Sequence, residues 1–216
     1  MGFNLKKGCG IGCLVVFTVL VIMMGGATWY SRAINKQYKT VQRTENALLA
    51  ATDGTPFTPP ADLVLAPERL DAFMAVRDSL QDRGRDLAIA AMDFAREKDR
   101  QQDGGFRGLL NLISSGSDLA PVYATYWTHR NRTLLTYEMS PAEYTWLYTI
   151  IYYKWLDKDP TAGQDARFST PPPPLEIPGE LPQATRDLLA PRRLRLESIF
   201  SPQLNPIELI FSHQEN

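Results

Sequence analysis

The chain has 216 residues, a formal net charge of −1, two cysteines and two histidines. A net charge near zero gives no indication of a nucleic-acid partner, and two histidines are too few for a histidine-based metal cluster. Both cysteines, Cys9 and Cys13, lie near the start of the sequence, so the remainder has no disulfide and no thiolate chemistry. This composition excludes a small extracellular domain held together by disulfides.

An uncharged apolar run near the start of the sequence predicts a membrane span. Residues 8–31, GCGIGCLVVFTVLVIMMGGATWYS, are flanked by Lys7 and Arg32. A helix rises about 1.5 Å per residue, so about 20 apolar residues cross a hydrocarbon core of about 30 Å. We therefore predict a short tail over residues 1–7 and one transmembrane helix, through which residues 8–31 contact the lipid bilayer.

A cleavable signal peptide is the main alternative for this run, because Lys6 and Lys7 precede it. The apolar core of a signal peptide usually has only about 7–15 residues. This run is longer, and it ends in Trp29 and Tyr30, which suit a membrane interface. Residues 25–27 have the small side chains of a cleavage region, which keeps the alternative open. The sequence favours an uncleaved signal-anchor.

The flanking charges give conflicting indications of the orientation of the span. Positive residues favour the cytoplasmic side, and more of them follow the run, between residues 32 and 43, than precede it. Against that count, Lys6 and Lys7 abut the run as in a signal-anchor, and long domains translocate largely regardless of their own charge. We predict a single-pass protein of a bacterial inner membrane with its larger part outside the cytoplasm.

Small residues at the start of the span allow two functional interpretations. Cys9 and Cys13 are potential acylation sites, but two small apolar residues in a glycine-rich helix are the simpler explanation. Gly8 and Gly12 have the spacing that lets two helices approach closely, yet they lie at the N-terminal edge of the span. We favour the structural explanation for both pairs.

Residues 32–60 are predicted to form a helical stalk followed by a proline-rich linker. Ile34, Tyr38, Val41 and Leu48 recur at near-helical spacing and form a thin apolar seam. The seam either forms a short coiled coil with a second copy or packs on the chain's own domain. Fewer than three heptads favour the second interpretation. The prolines that follow end the helix, because proline lacks a backbone donor.

Residues 61–158 are predicted to form a helical core domain. Apolar residues recur at helical spacing from Pro67 to about Gln102, and the stripe is interrupted only at Gly84. Proline suits the first helical position, which supports a start at Pro67. The many charges of this helix fit a solvated face better than a pair of catalytic carboxylates.

Two further helices are predicted after this one. The first is short and covers residues 106–113. A loop over residues 114–117, Ser-Ser-Gly-Ser, separates it from a longer helix over residues 118–137. Pro121 is expected in the first turn of that helix, where the missing N–H is tolerated.

An aromatic helix begins at a predicted capping box. Ser140 and Glu143 have the required spacing, and Pro141 occupies the first helical position. The helix is apolar or aromatic nearly all round up to Trp155, which predicts burial at the centre of the core. The alternative is a ligand pocket beside residues 144–155, with His129 or Glu143 in its wall. Its lining residues would be Tyr144, Trp146, Tyr148 and Tyr152.

The remaining chain is a proline-rich loop, residues 159–181, and a C-terminal helical segment, residues 182–216, which is expected to pack on the core. Residues 171–174 are four prolines, which favour an extended polyproline II conformation. They either dock into a groove of a partner or lie as a strap over the chain's own aromatic core.

The C-terminal segment is expected to kink at Pro191 beside a basic cluster, Arg192, Arg193 and Arg195. We favour surface pairing of these arginines with Glu197 and Asp187 over a site for an anionic partner.

Catalytic chemistry has one candidate, His129, since a serine–histidine–carboxylate site has no other plausible base. No G-x-S-x-G sequence occurs, and a histidine within a helix is more often structural. We therefore assign no catalytic, cofactor-binding or metal-binding residue, and we expect no cofactor.

These patterns predict an all-α fold, in which one transmembrane helix precedes a compact helical bundle with a proline-rich connection. No segment shows the sustained alternation of a β-strand. The leading functional hypothesis is a non-enzymatic envelope interaction or scaffold module that contacts a protein partner. The alternative is a membrane-anchored enzyme or small-ligand-binding domain with its pocket beside residues 144–155.

Overall fold

The computed structural model describes residues 36, 38–51, 57–101, 105–160, 179–204 and 208. These residues form helices and connecting turns, and no β-strand occurs among them, so the all-α class is confirmed for this part of the chain. The predicted span over residues 8–31 and the four prolines at 171–174 lie outside these ranges. Within them, no helix combines the length and the apolar character needed to cross a bilayer.

The α-helices are α1 (residues 38–51), α2 (Pro67–Gln101), α3 (Gly105–Thr136), α4 (Pro141–Tyr148), α5 (Gln183–Leu189) and α6 (Arg193–Ser198). A π-helical turn, Thr149–Trp155, continues α4, and 3-10 turns cover Ala190–Arg192 and Pro202–Leu204.

Helices α2 and α3 form an antiparallel hairpin that is the frame of the domain. The helix predicted between Pro67 and about Gln102 is confirmed, and it runs without a break through Gly84. Its inner face buries an apolar stripe that includes Phe73 and Leu80. A stripe of this width is what a helix needs in order to pack on a core.

The loop predicted over residues 114–117 is wrong, because these residues lie within the continuous helix α3. Pro121 consequently falls in the helix interior rather than in a first turn. Serine and glycine are weak helix formers, but propensity is a small term that tertiary packing overrides. Helix α3 packs on α2, and the weak local preference for a loop at residues 114–117 does not interrupt the helix.

Helix α4 starts as predicted, but only half of the capping box forms. Ser140 accepts a hydrogen bond from the backbone N–H of Glu143 at 3.0 Å. The carboxylate of Glu143 does not return to Ser140. It accepts instead from Arg69 of α2, at 2.6 Å from Nε and 2.5 Å from Nη2. A charged donor is the stronger partner for a carboxylate, which explains the exchange.

The aromatic helix is the centre of the core, as predicted. Tyr144, Tyr148 and Tyr152 are buried, and the ring centroids of Tyr148 and Tyr152 lie 4.7 Å apart in an edge-to-face arrangement. The helix widens into its π-helical turn at Thr149, and the backbone N–H of Leu156 reaches back to the carbonyl of Ile151 at 3.0 Å.

Helix α1 packs on the bundle through part of its predicted seam. Leu48 is buried in the core cluster and Val41 packs against it, whereas Tyr38 is exposed. The Nδ2 atom of Asn131 donates to Thr44 Oγ1 at 3.5 Å, which adds a polar contact between α1 and α3. These contacts agree with a seam that packs on the chain's own domain.

The C-terminal helices fold back over α2, and the kink predicted at Pro191 is confirmed by the 3-10 turn between α5 and α6. Arg193 pairs with Glu197 at 3.1 Å, as predicted. The other two arginines of the basic cluster reach across to α2, where Arg192 pairs with Asp71 and Arg195 with Asp78. Asp187, the other predicted partner, accepts from Gln183 instead.

Candidate functional site

A group of buried charged and phenolic side chains lies where α2, α3 and α4 meet. We call it the arginine–tyrosine cluster, and its members are Arg77, Tyr126, Arg130, Tyr144 and Glu208. Tyr126 and Arg130 share one face of α3, because residues four apart lie on the same side of a helix. Arg77 comes from α2, Tyr144 from α4 and Glu208 from the chain beyond α6.

Glu208 accepts three hydrogen bonds through a single carboxylate oxygen. Its Oε1 atom accepts from Tyr126 Oη at 2.5 Å, from Arg77 Nη1 at 2.8 Å and from Tyr144 Oη at 3.2 Å. The Glu208 side chain is 1% exposed. Hydrogen bonds to an ionised acceptor are about twice as strong as neutral ones. Glu208 therefore connects the C-terminal segment to three helices at one point.

The guanidinium of Arg77 makes hydrogen bonds through its N–H groups and stacks its flat face on aromatic rings. Besides Glu208, its Nη1 atom donates to Tyr144 Oη at 2.9 Å, and its Nη2 atom donates to the carbonyl oxygen of Ile199 at 2.9 Å. The guanidinium carbon lies 5.1 Å from the ring centroid of Tyr148 and 5.7 Å from that of Tyr152. Such cation–π contacts are stronger for a buried guanidinium than for an exposed one, and Arg77 is buried.

Arg130 is equally buried but less completely bonded. Its guanidinium carbon lies 4.7 Å from the ring centroid of Trp127 and 4.8 Å from that of Tyr144. Its Nε atom is 3.7 Å from Glu208 Oε2, an ion-pair distance that is too long for a hydrogen bond. Its Nη2 atom has no hydrogen-bond partner within the described ranges.

The cluster contains two guanidinium groups and one carboxylate. Glu208 is the one buried carboxylate in the part of the chain that the structure describes. Burial of an unpaired charge is costly, so Glu208 stabilises the two guanidiniums by supplying a counter-charge. The N–H and O–H donors of Arg77, Tyr126 and Tyr144 converge on the carboxylate of Glu208.

Burial keeps the tyrosines of the cluster in their neutral form. It is the largest cause of the raised pKa of Tyr126, which the charge of Glu208 raises further. Burial also raises the pKa of Tyr144 most strongly, although the charge of Arg77 opposes it. Burial tends to lower the pKa of Arg77, but the combined effect of Tyr144, Tyr152 and Glu208 outweighs it and the pKa lies well above its ordinary value. Arg77 is therefore charged at neutral pH, and both tyrosines are neutral donors.

His129 and Glu143, the candidate wall residues of the predicted pocket, make contacts between helices. The Nε2 atom of His129 donates to the carbonyl oxygen of Ser79 at 3.1 Å, which joins α3 to α2. Glu143 pairs with Arg69, whose guanidinium also donates to the carbonyl oxygens of Tyr137 and Glu138. The hydrogen bond to Glu143 is the largest cause of a pKa of Arg69 above its ordinary value. Each contact stabilises the packing of neighbouring helices.

Three cavities of about 260–370 Å³ are lined by residues outside 144–155. The first, of about 340 Å³, lies between α2 and residues 198–204, with Arg77, Gly84 and Ile89 among its lining residues. The second, of about 370 Å³, includes His129. The third, of about 260 Å³, lies between α2 and α3. The pocket beside residues 144–155 stays a prediction.

The sequence contained a signal for two members of the cluster that our interpretation missed. Arg77 is four residues after Phe73 and three before Leu80, so it falls on the apolar stripe of α2. Arg130 is four residues after Tyr126 and four before Leu134 on α3. A charged residue at a core position of a helix predicts a buried partner. Neither pattern identifies Glu208 as the partner, because helical periodicity relates only residues of the same helix and Glu208 is far from both in sequence.

No protein-family model matches the chain, and the searches of curated proteins and of solved structures also found no significant match. Among the described residues, no group of three or more histidine, cysteine, aspartate or glutamate side chains is arranged to hold a metal ion.

Proposed function

We propose that the chain is a single-pass membrane protein whose helical domain is a non-enzymatic interaction or scaffold module of the cell envelope. The anchor in this proposal is the uncharged run over residues 8–31, which has the length of a transmembrane helix. The bulk of the chain lies outside the cytoplasm, and the ligand of the domain is a partner protein.

One observation carries the non-enzymatic part of this proposal. The side chains best suited to acid–base chemistry are engaged in contacts that hold helices together: His129 with Ser79, Glu143 with Arg69 and Glu208 with Arg77. A general base has to be within reach of a substrate proton. Groups that already serve packing support a structural role for the domain.

The long hairpin supports a role in protein contacts. Helices α2 and α3 have 35 and 32 residues, which corresponds to about 50 Å each at about 1.5 Å per residue. Ile89 and Met92, three residues apart on α2, are each 49% exposed. A rigid helix pair of this length offers a partner an extended surface with fixed geometry.

Site-specific photo-crosslinking in intact membranes tests this proposal. A photoreactive residue replaces Ile89, Met92 or Leu194, which are exposed apolar positions on two different helices. We expect a discrete protein adduct from at least one position. The same variants, denatured before irradiation, provide the control and are expected to give none. Absence of a discrete adduct at all three positions contradicts the interaction module.

The alternative, an anchored enzyme or small-ligand-binding domain beside residues 144–155, derives from the aromatic composition of that helix. Tyr144 and Tyr148 are occupied by core contacts, and no geometric observation favours this alternative over the first.

A further inference from the structure

We propose that the cavity where α1, α2 and α3 meet binds the phosphate group of a small phosphate ester. This is the second cavity, of about 370 Å³, and it is separate from the arginine–tyrosine cluster. Binding there does not require the partner protein proposed above. Three features of the cavity support this assignment: two arginines that lack a carboxylate partner, a hydroxyl donor beside them, and further basic residues on α1.

Side chains from three helices line the cavity. Thr40 belongs to α1, Arg83 to α2, and Thr125, Thr128, His129 and Arg132 to α3. Ala124 is the one apolar residue in the described lining. His129 is fixed in the wall, because its Nε2 atom donates to the carbonyl oxygen of Ser79 on α2 at 3.1 Å. A polar lining held by packed helices suits a polar ligand.

Arg83 and Arg132 differ from most arginines of the domain in having no carboxylate partner. The other arginines whose side chains the structure describes lie within ion-pair distance of a carboxylate, except Arg43 on α1. Asp82, the neighbour of Arg83 in sequence, pairs with the next arginine of α2, and Asp86 lines the third cavity. The described lining contains no aspartate or glutamate. Among the described residues, the two guanidiniums therefore have no counter-charge.

An anion with several oxygens is the ligand that fits two guanidiniums on neighbouring helices. Each guanidinium presents parallel N–H donors that match two phosphate oxygens. A carboxylate has two oxygens, whereas a phosphate monoester has three terminal oxygens. A phosphate group can therefore accept from Arg83, from Arg132 and from a hydroxyl at the same time. Its binding also offsets the repulsion between two like charges that line one cavity.

Thr128 supplies the hydroxyl donor. Its side chain is half-buried in the cavity wall and makes no hydrogen bond with the residues that the structure describes. The hydroxyls of Thr40 and Thr125 instead donate to carbonyl oxygens one turn earlier in their own helices, at 3.0 and 2.8 Å. Thr128 comes four residues before Arg132, and residues four apart share a face of a helix. Thr128 and Arg132 therefore line one side of the cavity together.

Basic residues of α1 extend the positive region beyond the cavity. Lys36 comes four residues before Thr40 and Arg43 three residues after it, so all three share one face of this helix. Lys36 and Arg43 are exposed, and neither makes an ion pair with a described residue. Charges of one sign around a cleft attract ligands of the opposite sign and speed their association. This face of α1 therefore favours the approach of an anion to the cavity.

The volume of the cavity indicates a phosphate that carries a small organic group. Ligand cavities usually measure about 300–1,000 Å³, so a cavity of about 370 Å³ lies at the lower end. Glycerol phosphate is a suitable probe, because soluble phosphate esters and the headgroups of glycerophospholipids share its chemistry. Thr40 comes soon after the predicted span, which ends at residue 31. Lipids are therefore one source of the phosphate group, and soluble esters are the other.

The first experiment titrates the full-length chain with sodium glycerol phosphate in a maltoside detergent, which contains no phosphate. Sodium chloride at equal ionic strength is the reference. We expect saturable heat in isothermal titration and a Tm raised by about 3–6 °C at tenfold excess over Kd. Equal Tm values in the two salts, without saturable heat, would overturn the proposal.

Three matched variants assign the binding to this cavity. Arg83→Gln and Arg132→Gln are each expected to raise the Kd at least tenfold, as for a lost hydrogen bond to a charged group. Arg85→Gln is the control, because Arg85 also lies on α2 but lines the first cavity, and its Kd is expected to stay within twofold of wild type. All three arginines are exposed, so helical circular dichroism is expected to be unchanged. A tenfold change in Arg85→Gln, or an unchanged Kd in both other variants, would contradict the site.

Nanodiscs of phosphatidylcholine distinguish the two sources of the phosphate group. These bilayers carry no net charge, so they do not repel the probe. An equal Kd for glycerol phosphate in detergent and in nanodiscs identifies a soluble phosphate ester as the ligand. A Kd at least tenfold higher in nanodiscs identifies a lipid headgroup as the ligand, because lipid then occupies the site before the probe.

Discussion

Arg77 of α2 and Glu208, 131 residues later in the chain, form a buried ion pair with an Nη1–Oε1 distance of 2.8 Å. Each side chain is at most 2% exposed. The pair connects the C-terminal segment to the helix hairpin through charge-assisted hydrogen bonds. Disruption of this buried pair is therefore expected to lower the free energy of unfolding more than disruption of an exposed surface ion pair.

Glu208→Ala is expected to lower the free energy of unfolding by about 3–5 kcal/mol, because it leaves two buried guanidiniums without a counter-charge. Urea denaturation of the full-length chain measures the change. Glu197→Ala is the control, since Glu197 pairs with Arg193 at the surface. Its expected cost is below about 1 kcal/mol. Equal losses of unfolding free energy in the two variants would show that the buried ion pair stabilises the domain no more than the surface pair.

Tyr126→Phe is expected to cost about 1–3 kcal/mol in the wild-type chain, because Tyr126 donates to Glu208 at 2.5 Å. In the Glu208→Ala background the same substitution is expected to be neutral or stabilising, since the phenol has lost its acceptor. A double-mutant cycle measures this difference. Additive costs would mean that the two side chains are not coupled.

Gly84→Ala is expected to change the free energy of unfolding by different amounts in two backgrounds. Alanine is favoured over glycine in a helix by about 1 kcal/mol. In the wild-type chain the new methyl group meets Leu204 Cδ1, so we expect no gain in the free energy of unfolding. In the Leu204→Ala chain the gain of about 1 kcal/mol is expected in full. Denaturation curves of the four chains provide the test, and equal gains in both backgrounds would exclude the contact.

Alkaline pH is expected to destabilise the domain through its buried tyrosines. Burial raises the pKa of Tyr126, Tyr144, Tyr148 and Tyr152 in the folded chain. A raised pKa in the folded state means that the unfolded chain loses these protons first, so stability is complete below the unfolded pKa of about 10 and falls above it. As the pH rises, the exposed tyrosines are therefore expected to ionise first, and the absorbance of tyrosinate should reach its full value only when the domain unfolds. Titration of every tyrosine while the fold persists would contradict the burial.

The sequence predicted those parts of the fold that depend on local chemistry. Proline at position 67 and the apolar period after it identified α2, and Ser140 with Pro141 identified the start of α4. The kink at Pro191 was predictable because proline removes a hydrogen bond. The break at residues 114–117 was predicted wrongly, because the weak helix propensity of serine and glycine is a small term that does not interrupt α3.

The candidate site was harder to predict, because it depends on long-range pairing. The positions of Arg77 and Arg130 on apolar helix faces are visible in the periodicity of the sequence. Their partner Glu208 is not, since no period connects residues 77 and 208. Glu143 illustrates the same limit: its spacing from Ser140 predicted a reciprocal cap, yet Arg69 of another helix binds its carboxylate.

The proposed membrane anchor, with the helical domain outside the cytoplasm, is tested most directly by reporter fusions. Reporters active only in the cytoplasm or only outside it are joined in turn after residue 60 and at the C-terminus of the full chain, and the membrane fraction is assayed. We predict that both fusion points report the non-cytoplasmic side and that both fusions remain in the membrane fraction. Cytoplasmic signals at both points, or release of the fusions from the membrane, would contradict the account.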